Sequence, residues 1–366
     1  MSAFQFIRVH VWAQWPVYIP VTGLLAVALG ANGITAVPLL ALLSAILVAA
    51  VISAVHHAEI IAHKIGEPFG TLVLALAVTV IEVALILSLM MVRGEAAATL
   101  PRDTIYAAVM IICNGVVGLC VLIGGLHHRE QSFRIEGTGS GFAALASLSI
   151  LVLVMPRLTV SSASGSYTNS QLVFVACSSL ALWMVFVFIQ TIRHRDYFLP
   201  AHAPGDESSH APPPSVRAVW LSVALLLASL VGVVGMAKLL SPSIESAVVS
   251  AGAPQTVVGI IIALIVLLPE TWAAVRAARA DRLQTSMNLA IGSALASIGL
   301  TIPAVVTTSV LLGLPLQLGL EPKDIALVTL SFIVGAITLG SGRTNVMQGA
   351  VHLVIFAAFL FLSLVP

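Results

Sequence analysis

The stretch GTLVLALAVTVIEVALILSLMM, residues 70–91, is an apolar run interrupted by one ionisable residue, Glu82. A second run, VVGIIIALIVLLPETWAAV at residues 257–275, carries Glu270 in the same way. About 20 apolar residues suffice to cross a bilayer as a helix. Lipid offers the backbone no hydrogen-bond partners, so such runs must be helical. The two stretches therefore predict an all-α membrane protein.

The overall composition agrees with this prediction. Hydrophobic residues make up 59% of the 366, and charged residues only 8%, whereas soluble domains carry about 25% charged residues. The formal net charge of +1 gives no basic field for nucleic acid. Cys113, Cys120 and Cys177 lie in apolar runs, and we interpret them as small packing residues. The sequence thus indicates a polytopic membrane protein without a nucleic-acid partner.

Charge, Pro and Gly clusters divide the chain into eleven predicted spans, with one long hydrophilic connection, RHRDYFLPAHAPGDESSHAPPPS. We predict a leading helix within 1–36, a first five-helix repeat at 37–192, a flexible linker at 193–215 and a second repeat at 216–366. Because five is odd, the halves have opposite topology, and inverted repeats are typical of transporters. The predicted spans are 16–36, 38–63, 70–92, 104–126, 141–159, 171–192, 216–239, 254–278, 286–313, 324–341 and 345–365.

The distribution of Lys and Arg predicts the orientation, since cytoplasmic loops are enriched in these residues. With the N-terminus inside, eleven of the sixteen basic residues fall on the cytoplasmic side and five outside. We therefore expect an inner-membrane protein whose N-terminus and linker are cytoplasmic and whose C-terminus is external.

Glu82 and Glu270 occupy the second helix of each predicted half. A charge at the bilayer centre costs at least about 2.5–3.5 kcal/mol, so such residues are functional candidates by default. The alternative is a protonated Glu that only packs helices together. Desolvation favours the neutral carboxyl, so each Glu can hold a proton that an arriving cation displaces. We predict both as cation- and proton-binding residues, and two carboxylates together neutralise Ca²⁺.

Polar residues near these acids complete the predicted site. Thr79 lies one turn before Glu82, and Pro269 removes the backbone donor that would bond the Ile265 carbonyl. Such freed carbonyls ligate cations at broken helices. Intramembrane Ser and Gly are also common packing devices, and that alternative stays open. The remaining predicted ligands are Asn114 and Ser293, with Pro269, Gly292 and Ser297 as supporting residues.

Three segments carry a resemblance to a known family: HHAEIIAHKIGEPFGTLVLALAVTVIEVALI at 56–86, LLPETWAAVRAARADRLQTSMNLAIGSALASIGLTIP at 267–303 and GRTNVMQGAVHLVIFAA at 342–358. They resemble the Ca²⁺/cation–proton antiporter (CAX) family, and more closely its ChaA-like bacterial branch. The resemblance implies eleven helices, the first peripheral and the rest in two inverted five-helix halves. It also implies secondary active exchange of cytoplasmic Ca²⁺ for protons by alternating access.

The family motif Gly-Asn-Ala-x-Glu places its Glu on Glu82 and Glu270, its Gly-Ser pair on Gly292 and Ser293, and the Asn of the first-repeat partner helix on Asn114. The sequence departs from this motif elsewhere, since the motif Asn is replaced by Thr79 and by Leu267. Several neutral oxygen ligands are therefore lost. Na⁺ or K⁺ exchange with protons, alone or beside Ca²⁺, is the alternative prediction.

The sequence favours transport over an enzyme or a passive channel. We expect no cofactor, with Ca²⁺, Na⁺ or K⁺ and protons as transported ions and the lipid bilayer as the other partner. The sequence contains no H-E-x-x-H pattern that would indicate an intramembrane enzyme. Paired protonatable acids argue against a passive cation channel. His56, Glu59 and His63 share a helix face, as either a pH-sensing or metal site or polar residues at a helix end.

Overall fold

The computed structural model describes residues 3–29, 37–66, 69–162, 165–199, 214–250, 252, 254 and 256–365. These residues are almost entirely helical, as the apolar runs predict. Short π-helical segments follow α4, α6 and α8, at Ile111–Val116, Ile150–Val154 and Ile189–Arg193. The helices are α1 Ala3–Ala28, α2 Val37–Ile65, α3 Phe69–Arg93, α4 Leu100–Met110, α5 Val117–His128, α6 Ile135–Ser149, α7 Met155–Leu158, α8 Asn169–Phe188, α9 Val216–Ser250, α10 Thr256–Arg279, α11 Leu283–Leu312, α12 Pro322–Gly340 and α13 Val346–Leu364.

Nine helical stretches of the described chain are long and apolar enough to cross a membrane. Two shorter apolar stretches, Trp15–Ala28 and Ala75–Met91, correspond to the first and third predicted spans. The prediction of an all-α polytopic membrane protein is confirmed. The count of eleven spans and the inverted repeat stay predictions, and residues 30–36 of the first span lie outside the described residues.

Several helices extend beyond the apolar runs that predicted them. The fourth predicted span, 104–126, is part of a helical stretch from Gly94 to His128. This stretch also contains Arg102 and Asp103, which form an ion pair of 2.8 Å. The seventh continues from the predicted end at 239 to Ser250. Polar residues at helix ends are compatible with the helix, and a hydropathy boundary does not detect them.

The chain forms two compact units. Unit 1 comprises residues 1–89 and 210–247, and unit 2 comprises residues 90–209 and 248–366. Unit 1 thus contains the opening helices of both predicted halves, α2 and α9, together with α1 and most of α3. Unit 2 contains the remaining helices of both halves.

In unit 1, a proline in α1 sets the contact with α2 and α9. Pro20 has no N–H, so the Pro16 carbonyl lacks its donor within the helix. Ser53 Oγ and His57 Nε2 of α2 instead form hydrogen bonds to that carbonyl oxygen, each of 2.9 Å. The other ring nitrogen of His57 lies 3.3 Å from Ser222 Oγ of α9. One buried histidine therefore bridges three helices.

In unit 2, α11 packs against α4, α5, α6, α8 and α10, and α5 packs along α13. The α5–α13 contact is close because glycines line it: a methyl group at Gly118 would lie 3.0 Å from His352 Cβ, and one at Gly349 would lie 2.5 Å from the Leu122 backbone. Small residues permit such close approach of membrane helices.

One end of unit 2, here called the ribbon end, is tied by a two-stranded antiparallel ribbon. Strand β1, Gln131–Ser132, pairs with β2, Arg343–Thr344. Gln131 Nε2 also donates to Asp281 Oδ1 at 2.8 Å. The predicted linker begins here, and its first part is not a free connection, since Asn288 Nδ2 donates to the Phe198 carbonyl at 2.6 Å. Linker residues 200–213 lie outside the described residues.

The opposite end of unit 2, here called the Arg102 end, is held by backbone contacts between three connections. Gln317 N–H donates to the Ala98 carbonyl and Gly319 N–H to the Gly165 carbonyl, both at 2.9 Å. Lys323 Nζ donates to the Leu362 carbonyl at 3.0 Å, which places the end of α13 at this end too. A cleft of about 360 Å³ opens here, lined by Arg102, Arg157, Gly165, Gln317, Gly319, Glu321 and Pro322.

Candidate functional site

The predicted site residues are divided between the units, so each group is described within its own unit. Unit 1 contains Thr79 and Glu82, both on α3. Unit 2 contains the other six, which are Asn114 on the π-helical segment, Pro269 and Glu270 on α10, and Gly292, Ser293 and Ser297 on α11. The cleft at the Arg102 end includes none of them.

Glu82 and Thr79 lie one turn apart on α3, and each is only 4% exposed. Their burial on one helix face is as predicted. Thr79 Oγ1 donates its hydrogen to the Ala75 carbonyl at 2.8 Å. The threonine oxygen therefore presents lone pairs, which is the form in which a hydroxyl can accept a hydrogen bond or ligate a cation.

Glu270 is half-buried on α10, directly after Pro269. The helix runs without interruption from Thr256 to Arg279, so Pro269 lies inside one helix, as in the predicted span 254–278. Pro269 cannot donate to the Ile265 carbonyl. The Leu267 carbonyl accepts from Thr271 Oγ1 at 2.7 Å. Packing against neighbouring helices lets a membrane helix accommodate a proline in this way.

Gly292 and Ser293 are half-buried near the middle of α11. A methyl group added at Gly292 would meet no atom of the described chain within 4 Å, whereas one at Gly299 would lie 2.5 Å from Trp183 Cβ. Gly299 is therefore a packing glycine, and Gly292 is not. Ser297, one turn after Ser293, is buried at 3% exposure.

Asn114 is fully buried and lies in the π-helical segment Ile111–Val116. π-Helical segments occur frequently at functional sites. The amide is held on both sides: Nδ2 donates to Ser331 Oγ of α12 at 2.8 Å, and Oδ1 lies 3.3 Å from His352 Nδ1 of α13. His352 Nε2 in turn lies 3.1 Å from Thr338 Oγ1.

His352 was missed in the sequence analysis, although it lies in the last quoted segment. It is 1% exposed, and Ser331 and Thr338 are 0% and 2% exposed. An ionisable residue within an apolar helix is a functional candidate by default, and that signal applied to His352 as well as to the two Glu residues. Its partner Asn114 is distant in sequence, so no local pattern connected them.

The helices that carry the unit 2 candidates contact one another. α10 packs against α4, the π-helical segment, α5 and α11. A methyl group at Gly259 of α10 would lie 3.0 Å from the Asp103 and Thr104 backbone, which shows how closely α10 approaches α4. Unit 2 therefore brings together the helices of Glu270, Asn114 and Ser293.

The weaker predictions have mixed outcomes. Within the described residues, no group of three or more His, Cys, Asp or Glu side chains could hold a metal ion. Glu59 and His63 are exposed on α2. The ring of His56 lies tilted against that of Trp15, with the ring centroids 5.9 Å apart. Cys113 and Cys120 are buried, but Cys177 is exposed, so its predicted packing role is wrong.

Known proteins are similar to this chain in sequence and in fold. The family model described as sodium/calcium exchanger protein matches residues 35–192 and 221–365. The y4hA protein of Sinorhizobium fredii is 45% identical, with all of both chains covered. The sodium-potassium/proton antiporter ChaA of Escherichia coli is 36% identical over 89% of this chain and 88% of its own. A Ca²⁺/H⁺ antiporter of Aphanothece halophytica is 24% identical over 72% and 75%.

Solved structures extend the likeness to the fold. Native YfkE matches with a TM-score of 0.71 at 17% identity, covering 96% of this chain and all of the other. The H⁺/Ca²⁺ exchanger CAX matches with a TM-score of 0.71 at 14% identity, covering 94% and 86%. These likenesses concern the helical architecture.

Proposed function

The chain belongs to the sodium/calcium exchanger protein family, and we propose that it exchanges cytoplasmic Ca²⁺ for protons. It is a multi-pass membrane protein and a secondary active cation antiporter. Relatives named as Ca²⁺/H⁺ and sodium-potassium/proton antiporters support proton-coupled exchange. Transport then needs no chemical transformation and no cofactor, so the protein is a transporter and not an enzyme.

One observation carries the proposal: each unit has a carboxylate within an apolar helix. Glu82 of unit 1 is 4% exposed, and Glu270 of unit 2 is half-buried. A charged carboxylate is costly in this environment. It therefore binds either a proton or a cation, and the two compete.

That competition makes the exchange obligatory. When a cation reaches the site from one side of the membrane, it displaces the protons, and protons reaching the site from the other side displace the cation. Because an empty, charged carboxylate within the membrane is the costly state, access changes only when the carboxylate is occupied. Alternating access then couples the two flows.

The ligand set favours a divalent ion with reduced selectivity. Ca²⁺ takes six to eight oxygens, and a carboxylate supplies up to two of them. Thr79, Asn114 and Ser293 are the proposed neutral ligands, with the Ile265 carbonyl and water completing the shell. Leu267 supplies no oxygen where the family motif has Asn. We therefore propose that Na⁺ or K⁺ is also exchanged, which the name of the Escherichia coli relative supports.

Helix directions within unit 2 support inverted halves. The stretch formed by α4 and α5 runs from the Arg102 end to the ribbon end, and α11, its counterpart in the second half, runs the opposite way. The same reversal relates α6 to α12 and α8 to α13. We propose that the ribbon end is cytoplasmic and the Arg102 end external in a bacterial inner membrane, since the basic residues favour that orientation.

Everted membrane vesicles test the function. A pH gradient is established, and CaCl₂, NaCl or KCl is added in turn while the gradient is followed by a fluorescent dye. Exchange collapses the gradient with saturable dependence on the cation. A passive channel instead carries current without proton movement, and that outcome would overturn the proposal. Collapse by Na⁺ or K⁺ without any response to Ca²⁺ would establish the second candidate function.

A further inference from the structure

The side chains around Asn114 form a hydrogen-bonded chain whose direction can be deduced. Ser331 Oγ lies 2.8 Å from the Leu327 carbonyl, which can only accept, so the serine hydrogen points there. The Met110 sulfur is a more distant and weaker acceptor at 3.4 Å. Ser331 Oγ must then accept from Asn114, and a hydrogen bond of 2.8 Å requires the amide NH₂ on that side.

The orientation of the Asn114 amide determines which ring nitrogen of His352 carries the hydrogen. With its NH₂ toward Ser331, Asn114 turns Oδ1 toward His352, and an amide oxygen only accepts. The hydrogen between them therefore belongs to His352 Nδ1. Hydrogen bonds then run in one direction, from His352 to Asn114, from Asn114 to Ser331 and from Ser331 to the Leu327 carbonyl.

The surroundings hold this arrangement in place. Asn114, Ser331 and His352 are each at most 1% exposed, so water does not replace a lost partner. A methyl group at Gly118 would lie 3.0 Å from His352 Cβ, which shows that the α5 backbone presses against the histidine. Reversing the amide would place its oxygen against Ser331 Oγ, whose hydrogen is donated to the Leu327 carbonyl.

We propose that His352 is a positioning residue for cation exchange: its Nδ1–H fixes the Asn114 amide oxygen in the orientation needed to ligate the transported cation. This rests on the proposed function and adds a residue outside the predicted ligand set. An amide oxygen has two lone pairs, so the bond from His352 leaves one for the cation. Groups that orient a ligand in this way typically contribute 10–100-fold to metal affinity.

Two amide substitutions separate positioning from packing. In His352→Asn, the amide nitrogen takes the place of Nδ1 and can still donate to Asn114. In His352→Gln, the amide reaches toward Thr338 in place of Nε2, and the donor to Asn114 is lost. The purified full-length variants are reconstituted in liposomes, and the half-saturating concentrations of CaCl₂ and NaCl are measured against a proton gradient.

We expect His352→Gln to raise the half-saturating concentration roughly tenfold, and His352→Asn to keep it within about twofold of the unmodified protein. Ser363→Ala is the control on the same helix, because Ser363 donates only to the Phe359 carbonyl one turn away within α13. It should change neither value. Equal half-saturation in the Asn and Gln variants would overturn the proposal.

A binding measurement distinguishes a loss of cation affinity from poor folding or slow transport. The rise in melting temperature caused by CaCl₂ in detergent reports cation affinity without transport, and Ser331→Ala gives a milder loss of the same amide orientation. Ser331→Ala should require several-fold more CaCl₂ for the same rise. An unchanged CaCl₂ dependence would contradict the positioning role. If the unmodified protein shows no exchange, the proposed function fails, and this is distinct from exchange that is insensitive to His352.

Discussion

The ring of His57 and the carbonyl of Pro16 are joined by a hydrogen bond of 2.9 Å between Nε2 and the oxygen. The carbonyl has lost its donor within α1 because Pro20 follows one turn later, and Ser53 shares the replacement. Two side chains of α2 thus repair a defect that proline introduces in α1, and this contact joins the helices of unit 1.

Removing both donors should destabilise unit 1 more than removing either. His57→Leu or Ser53→Ala alone leaves one donor on the Pro16 carbonyl, whereas the double variant leaves a buried carbonyl unpaired at a cost of about 1–3 kcal/mol. Thermal unfolding in detergent should show a larger loss for the double variant than the sum of the single losses. His63→Leu, at an exposed position of α2, is the control. Strictly additive losses would mean that the two donors do not share a role.

Replacing Glu82 or Glu270 by Gln should abolish exchange and leave the protein folded. Gln preserves shape and hydrogen bonding, but it neither releases a proton nor supplies charge to a cation. Transport in proteoliposomes should fall to background for both variants. Glu136→Gln, at an exposed position of α6, should transport normally. Near-normal uptake by either membrane variant would refute the assignment of that residue.

The predicted linker and the C-terminus should lie on opposite sides of the membrane. Within unit 2, the linker begins at the ribbon end, and α13 finishes at the Arg102 end. A reporter at residue 207 should therefore be cytoplasmic, and one fused after residue 366 external. Both reporters on one side would indicate a miscounted span and remove the argument for inverted halves.

Leu267→Asn should raise the affinity for Ca²⁺ relative to Na⁺. Leu267 is 4% exposed and lies one turn before Glu270, so an amide oxygen placed there adds to the ligands around that carboxylate. Ca²⁺ takes six to eight oxygens, so the added amide oxygen would replace water in its shell. Titration of each cation against a proton gradient measures the change, and Leu268→Asn, at an exposed neighbouring position, is the control. An unchanged ratio of the two affinities would show that the lost ligand is unimportant.

The sequence predicted what depends on local pattern. Apolar runs located the helices, and a lone acid within each of two runs identified Glu82 and Glu270. The hydrophilic character of residues 193–199 predicted a flexible linker, but gave no sign that the Phe198 carbonyl accepts a hydrogen bond from Asn288. The continuous apolar run around Pro269 predicted one span, and α10 is one helix there.

What the sequence could not predict depends on contacts between distant segments. His352 looks like an isolated residue in an apolar helix until α5 and α13 bring it to Asn114. His57 similarly gains its role only when α1 and α9 are present. Pairings of this kind have no spacing rule, and they are where the structure adds most to the candidate site.

The β1–β2 ribbon has a consequence for the integrity of the molecule. It joins backbone from before the linker to backbone from after it, and α11 packs on helices from both parts. A protease that cut the chain between residues 200 and 213 would therefore produce two fragments that remain interlocked in unit 2. The protein would survive such a nick as a non-covalent complex, and its two parts expressed from separate genes should reassemble.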